Sequence, residues 1–136
     1  MLTPSCSFPR NGLLAMVTGF ALVIAGQTFA AGDAQISAPF AGSKANTGTV
    51  TFSHEGDERV LTLSSDFVSP DSPDPHWQVV DSSGDVYTLE RLEIKEEREH
   101  RKITLPAYVR DVARVVIWCA FAETNLGEAA FEKPAK

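Results

Sequence analysis

Cysteine is scarce in this chain: Cys6 and Cys119 are its two thiols in 136 residues. Two cysteines cannot staple a multi-disulfide scaffold or complete a four-cysteine zinc site. Positive charge is also short. Twelve Lys and Arg stand against eighteen Asp and Glu, for a net charge of −6 and a pI of about 5.0. No basic field is left to hold the phosphates of a nucleic acid. No Gly-x-Ser-x-Gly elbow and no Gly-rich phosphate loop occurs, and no serine has an evident base beside it. Repeats and low-complexity tracts are missing too. These absences give no hydrolase or transferase motif, and the length leaves room for one domain.

The longest apolar stretch, Leu13–Gly26, runs for fourteen residues. A membrane-spanning helix needs about 20, whereas the core of a secretory signal needs about 7–15. A polar, acid-free segment with Arg10 precedes it, and Thr28 and Ala30 follow as small residues at −3 and −1 of a cleavage position. Residues 1–30 therefore read as a signal peptide cut after Ala30, with Ala34 as a weaker position and an uncleaved membrane anchor as the alternative. No cysteine stands at the cut for lipid attachment, and a twin-arginine signal is absent. The expected location is periplasmic or secreted, with membrane contact only through the leader if it is retained. Cleavage removes Arg10 and Cys6, which takes the net charge from −6 to −7 and leaves Cys119 alone. A lone thiol in an oxidising compartment is paired to another molecule, reactive, or buried and inert.

Residues 31–136 read as strands. Thr49–Ser53 alternates with Val50 and Phe52 on one face, and Arg59–Ser65 sets Leu61 and Leu63 together. The turn sequence His54–Glu58 between them predicts a hairpin. His76–Val80, Val86–Glu93 and Lys102–Leu105 follow, with Asp81–Asp85 as a second turn. Arg114–Phe121 is apolar at seven of eight positions, as a strand buried on both faces would be. Glu128–Glu132 is expected as a last edge strand. The charged stretch Glu90–Lys102 reads as a long hairpin end, with a solvated helical turn as its rival, and Ala107–Val112 as one helical turn. Short strands with turns every 8–12 residues or so give an all-β domain, an antiparallel sandwich or barrel-like fold of about seven to eight strands.

Several elements recur in a known order. Phe40-Ala41-Gly42 and Thr47-Gly48-Thr49-Val50 open the domain. Asp66-Phe67 follows the second strand, and Pro73-Asp74-Pro75-His76-Trp77 enters the third. Val115-Val116-Ile117-Trp118-Cys119-Ala120-Phe121 closes it, with Gly127, Ala129 and Phe131 after. In these the chain resembles the DM-thirteen domain family, the extracytoplasmic module found beside DOMON domains in Skeletor-type proteins. The resemblance covers residues 38–131. It implies a β-sandwich-type domain with a role in electron transfer, and Cys119 as the redox residue. The chain departs from the family pattern at the glycine-free Leu92–Glu97 and at Lys44-Ala45, where the family commonly carries a histidine. Fold transfers more safely than function across such a likeness.

Read from the residues alone, Cys119 shares a strand face with Val115, Ile117 and Phe121. If that face is core, the thiol is a small hydrophobe; redox work needs a thiolate, hence a nearby cation or donor and some access. His76 and Asp74 are the candidates beside it, with an Asp that sets the turn before Pro75 as the plainer reading of Asp74. His54, His76, His100 and Cys119 offer zinc or copper ligands, though none stands at ligand spacing, so a metal at His76/Cys119 depends on the fold. An Asp71/Asp74 loop is a weak calcium candidate. Trp77, with Trp118 and Phe121, is a candidate ligand platform, aromatics on strands being more often core. The leading expectation is an exported redox or electron-transfer module acting through Cys119 on a redox or envelope protein partner. The alternatives are an envelope ligand- or protein-binding module with Cys119 as packing, and a metal-binding module. No cofactor follows from the sequence.

Overall fold

The computed structural model describes residues 33–93 and 101–136. The expected leader with its cut at Ala30, and His100 within the charged stretch, lie outside these residues. Eight strands follow one another: β1 (Gln35–Ile36), β2 (Val50–Glu55), β3 (Glu58–Leu63), β4 (Pro75–Val80), β5 (Val86–Arg91), β6 (Lys102–Thr104), β7 (Val112–Cys119) and β8 (Thr124–Ala135). They form two antiparallel sheets of four, ordered β1-β2-β3-β6 and β5-β4-β7-β8. The protein is all-β, with a sandwich arrangement and no helix among the described residues.

The turns are where glycine supplies what other residues cannot. Gly56 at φ 62° takes the first central position of the two-residue β2–β3 turn, as a type II′ hairpin requires. Gly84 at φ 89° closes the β4–β5 turn, which Asp81 organises by accepting the N–H groups of Ser83 and Asp85, each at 2.9 Å. Alternation then decides the faces. Val50 and Phe52 stand opposite Leu63 and Leu61, and all four are buried. From the other sheet, Trp77, Val79, Val115 and Ile117 fill the same core. Each large side chain buried there is worth about 1.5–3 kcal/mol relative to exposure.

Several expected details are corrected by the pairing. β5 and β6 belong to different sheets and do not pair, so they are not the two arms of a hairpin; residues 94–100 between them lie outside the described residues. Pro106–Val109 is a β-turn closed by Val109 N–H to Pro106 O at 3.1 Å, and Val112 already starts β7, so no helical turn forms. His54 and Glu55 continue β2 and are not turn residues. Phe121 lies beyond the end of β7, in a turn, and is 80% exposed. The last strand is longer than Glu128–Glu132 suggests, because the N-terminal segment runs along its free side. Ala38 and Ala45 donate to the carbonyls of Ala130 and Leu126 at 2.8 Å, and Ala41 and Glu128 exchange two bonds of 2.9 Å. The approach is close enough to demand glycine: a Cβ on Gly127 would lie 1.9 Å from the Ala45 carbonyl oxygen. An otherwise bare sheet edge is thereby covered.

Candidate functional site

Cys119 is the last residue of β7, paired across the sheet with Pro75 of β4 and Thr124 of β8. Its side chain faces inward with Val115 and Ile117, as alternation requires, and only 1% of the residue is accessible. The burial is shallow nonetheless, since the turn Ala120–Glu123 that covers it carries the exposed Phe121. The sulfur accepts the Ala122 N–H at 3.4 Å. The Ser72 hydroxyl and then the Ala122 N–H are the main causes that hold the thiol pKa below its ordinary value. Burial opposes them, and the backbone N–H groups of Asp74 and Phe121 add to them. Ser72 Oγ is itself buried and has no hydrogen-bond partner among the described residues. An array of neutral donors around a sulfur favours the thiolate without a cation.

The loop that carries Ser72 is locked to the Cys119 turn through Asp74, whose carbonyl accepts the Ala120 N–H at 2.9 Å. Asp74 also gathers two other side chains. Its carboxylate lies 3.3 Å from Arg91 Nε and 3.6 Å from His76 Nδ1, and the same ring nitrogen is 3.2 Å from the Asp74 carbonyl. Arg91 meanwhile donates to the Pro73 carbonyl at 2.9 Å. β4 pairing sets His76 beside Arg91 on one side and Trp118 on the other, all on the outer face of the sheet. His76 and Cys119 therefore occupy opposite faces, and the fold does not bring the imidazole to the thiol. Asp74 reaches both neighbourhoods, its carboxylate to the outer cluster and its backbone to the thiol.

A cleft of about 250 Å³, lined by Ser72, Pro75 and Arg91 among others, opens beside this loop. Trp77 is fully buried in the core, because its strand position faces inward opposite Ile117, and it also lines another cleft of about 250 Å³ together with Glu90, Arg91, Glu93, Lys102 and Ile103. Trp118 faces outward and is half-buried. Among the described residues, no three His, Cys, Asp or Glu side chains converge to hold a metal ion, and His54 packs its ring edge-on to Phe52 at 5.3 Å.

Two contributors escape a reading of the sequence. Ser72 sits in the Ser/Pro/Asp loop 69–75, where nothing in the local pattern marks one serine from another. Arg91 is set beside His76 by strand register, which is a property of pairing and not of spacing. No family model matches the chain, and neither the curated proteins nor the solved structures contain a significant match to it.

Proposed function

We propose that this chain is an exported β-sandwich module of DM-thirteen type whose chemistry is that of the Cys119 thiol. One observation carries the reading: the sulfur lies at a strand end among hydrogen-bond donors, with the Ala122 N–H at 3.4 Å, and its pKa is lowered despite burial. The chemistry such a group performs is thiol–disulfide exchange. The Cys119 thiol loses its proton to solvent, and the thiolate attacks one sulfur of a partner protein's disulfide. The partner's S–S bond breaks as a mixed disulfide with Cys119 forms, and the departing thiolate takes up a proton. The protein's other cysteine falls in the expected leader, so a further thiol of the partner, other than the one just freed, resolves the mixed disulfide. It attacks the partner's sulfur, a rearranged S–S bond forms within the partner, and the Cys119 thiolate leaves and takes up a proton. The turn Ala120–Glu123 has to move aside for a protein partner to reach the sulfur.

A second reading has its own support. At 1% accessibility within the core cluster, Cys119 has the placement of a packing residue in an envelope binding module. The two part company in one experiment, the rate of reaction of the folded protein with a small aromatic disulfide across about pH 5–9. Reaction in the folded state with an apparent pKa below about 8.5 is the outcome expected of the exchange module. Reaction that begins only on unfolding assigns Cys119 to packing, and Cys119→Ser then lowers the unfolding midpoint and changes no reaction.

A further inference from the structure

We propose that the cleft between β5 and the Pro106–Val109 turn is a binding site for one ring of a neutral carbohydrate chain. It has a volume of about 290 Å³ and is lined by Thr88, Leu89, Glu90, Thr104, Pro106 and Tyr108. That is just under the about 300–1,000 Å³ range of small-molecule sites, room for a single ring. The cleft lies at the β5 edge of its sheet, two strands away from the β7 strand that carries Cys119, and it is independent of the thiol reading.

Tyr108 carries the inference. It is a large aromatic side chain left 63% exposed, on a segment too well fastened to be a floppy loop tip. The Arg59 guanidinium donates to the carbonyls of Arg110 at 3.1 Å, Pro106 at 3.2 Å and Val109. Tyr87 backs the ring, with centroids 5.8 Å apart and planes inclined at 40°, and is itself fixed by its hydroxyl donating to Asp81 Oδ2 at 3.2 Å. A rigid, solvent-facing aromatic loses little entropy when it stacks on a ligand.

The rest of the lining selects among ligands. Thr88 and Thr104 bring hydroxyls that donate and accept, and Glu90 is the one charged side chain among the lining residues described. Among the described residues no cation lines the cleft, and around Tyr87 the negative charge of Asp81 and Asp85 outweighs the positive charge of Arg110, so an anion is disfavoured. A quaternary ammonium would use the aromatic face but make no use of the Thr104 hydroxyl, the Thr88 hydroxyl already accepting from the Gln78 amide at 3.0 Å. A sugar ring matches the lining better: its apolar face on Tyr108, and its hydroxyls with Thr104 and the Glu90 carboxylate, with the proton of the Gln78-bonded Thr88 hydroxyl left to donate.

The test is an amide-shift NMR titration of the purified protein with chitotriose, cellotriose and maltotriose, and separately with choline chloride. The expected result is saturable shifts at Thr88, Glu90, Thr104 and Tyr108 with at least one trisaccharide, and the choice among the three identifies the glycan. Tyr108→Ala should weaken that binding about three- to tenfold at an unchanged unfolding midpoint. Glu90→Gln leaves the backbone alone and should weaken it about two- to threefold. Three outcomes overturn the proposal: no trisaccharide shifts these amides, binding persists undiminished in both variants, or choline shifts them while the sugars do not. The last would make the cleft a cation site. None of these results bears on Cys119, which the disulfide-reagent kinetics read separately.

Discussion

The Ala122 N–H donates to Cys119 Sγ at 3.4 Å, closing the β7–β8 turn onto the thiol that ends β7. With the Ser72 hydroxyl as the larger cause, this bond holds the Cys119 pKa below its ordinary value. The unfolded chain binds that proton up to a higher pH, so the native state gains stability from ionisation. The gain is present in full above the unfolded-state pKa, about 8.5, and is lost as pH falls through the lower folded-state value. Chemical denaturation between about pH 6 and 9.5 should therefore show stability rising with pH in the wild type and not in Cys119→Ala. Ser72→Ala should move the apparent pKa of thiol reactivity upward. A Ser72→Ala variant with an unshifted pKa would remove that hydroxyl from the account of the site.

How far the sequence discloses this site follows from the kind of information each part needs. The inward face of β7 is legible, because alternation along Val115, Ile117 and Cys119 is local and the core confirms it. The hairpin β2–β3 is legible for the same reason, with Gly56 marking the turn. Phe121 breaks the pattern because the strand ends at Cys119 and a turn begins, and apolar character alone gives no sign of that boundary. The placement of β5 and β6 in different sheets, and the meeting of Asp74 with Arg91, arise from strand pairing between distant segments. No periodicity within either segment encodes such a meeting.

Trp77 and Trp118 differ in a way that fluorescence can read. They belong to adjacent strands but face opposite sides of one sheet: Trp77 is fully buried and Trp118 half-buried on the outer face. Acrylamide or iodide should quench the Trp118 contribution and leave that of Trp77, so a Trp118→Phe variant loses the quenchable component and a Trp77→Phe variant retains it. Trp77→Ala removes the largest fully buried side chain and should cost about 3–5 kcal/mol in unfolding free energy. Equal quenching of both indoles would contradict the inward placement of Trp77.

Acid sensitivity should come in part from Asp111. The Asp111 carboxylate accepts the Ser82 N–H and the Ser82 hydroxyl, each at 2.7 Å, tying the β4–β5 turn to the segment that leads into β7. The Ser82 hydroxyl first and the Ser82 N–H second hold the Asp111 pKa below its ordinary value, against the effect of burial. The sign is that of a depressed carboxylate: its stability is present above the unfolded pKa, about 3.9, and is lost as pH falls through the folded value. Ser82→Ala should lower stability at pH 7 by about 1.5 kcal/mol, the worth of a hydrogen bond to a charged group, and flatten the loss of stability below pH 4 or so. Asp111→Asn should abolish that part of the acid dependence altogether. Urea midpoints at neutral and acid pH, wild type against each variant, measure both effects.

Arg59 fastens the backbone on both sides of Tyr108, and that role is testable. Its guanidinium spans the carbonyls of Pro106, Val109 and Arg110, three acceptors that a planar fork can serve together. A lysine keeps the charge but is a point donor and cannot reach all three. Arg59→Lys should therefore cost only about 1–2 kcal/mol globally, because Val60 and Leu61 beside it keep their core contacts. Locally the effect should be larger. The Val109 amide, bonded to the Pro106 carbonyl at 3.1 Å, should lose most of its hydrogen-exchange protection while the β2–β3 amides keep theirs. A Tyr108 no longer held in one place pays its ordering entropy on binding, so the same variant should weaken trisaccharide binding with every lining side chain intact. Unchanged Val109 exchange in Arg59→Lys would show that the β-turn is rigid through its own bond, and that Arg59 serves stability alone.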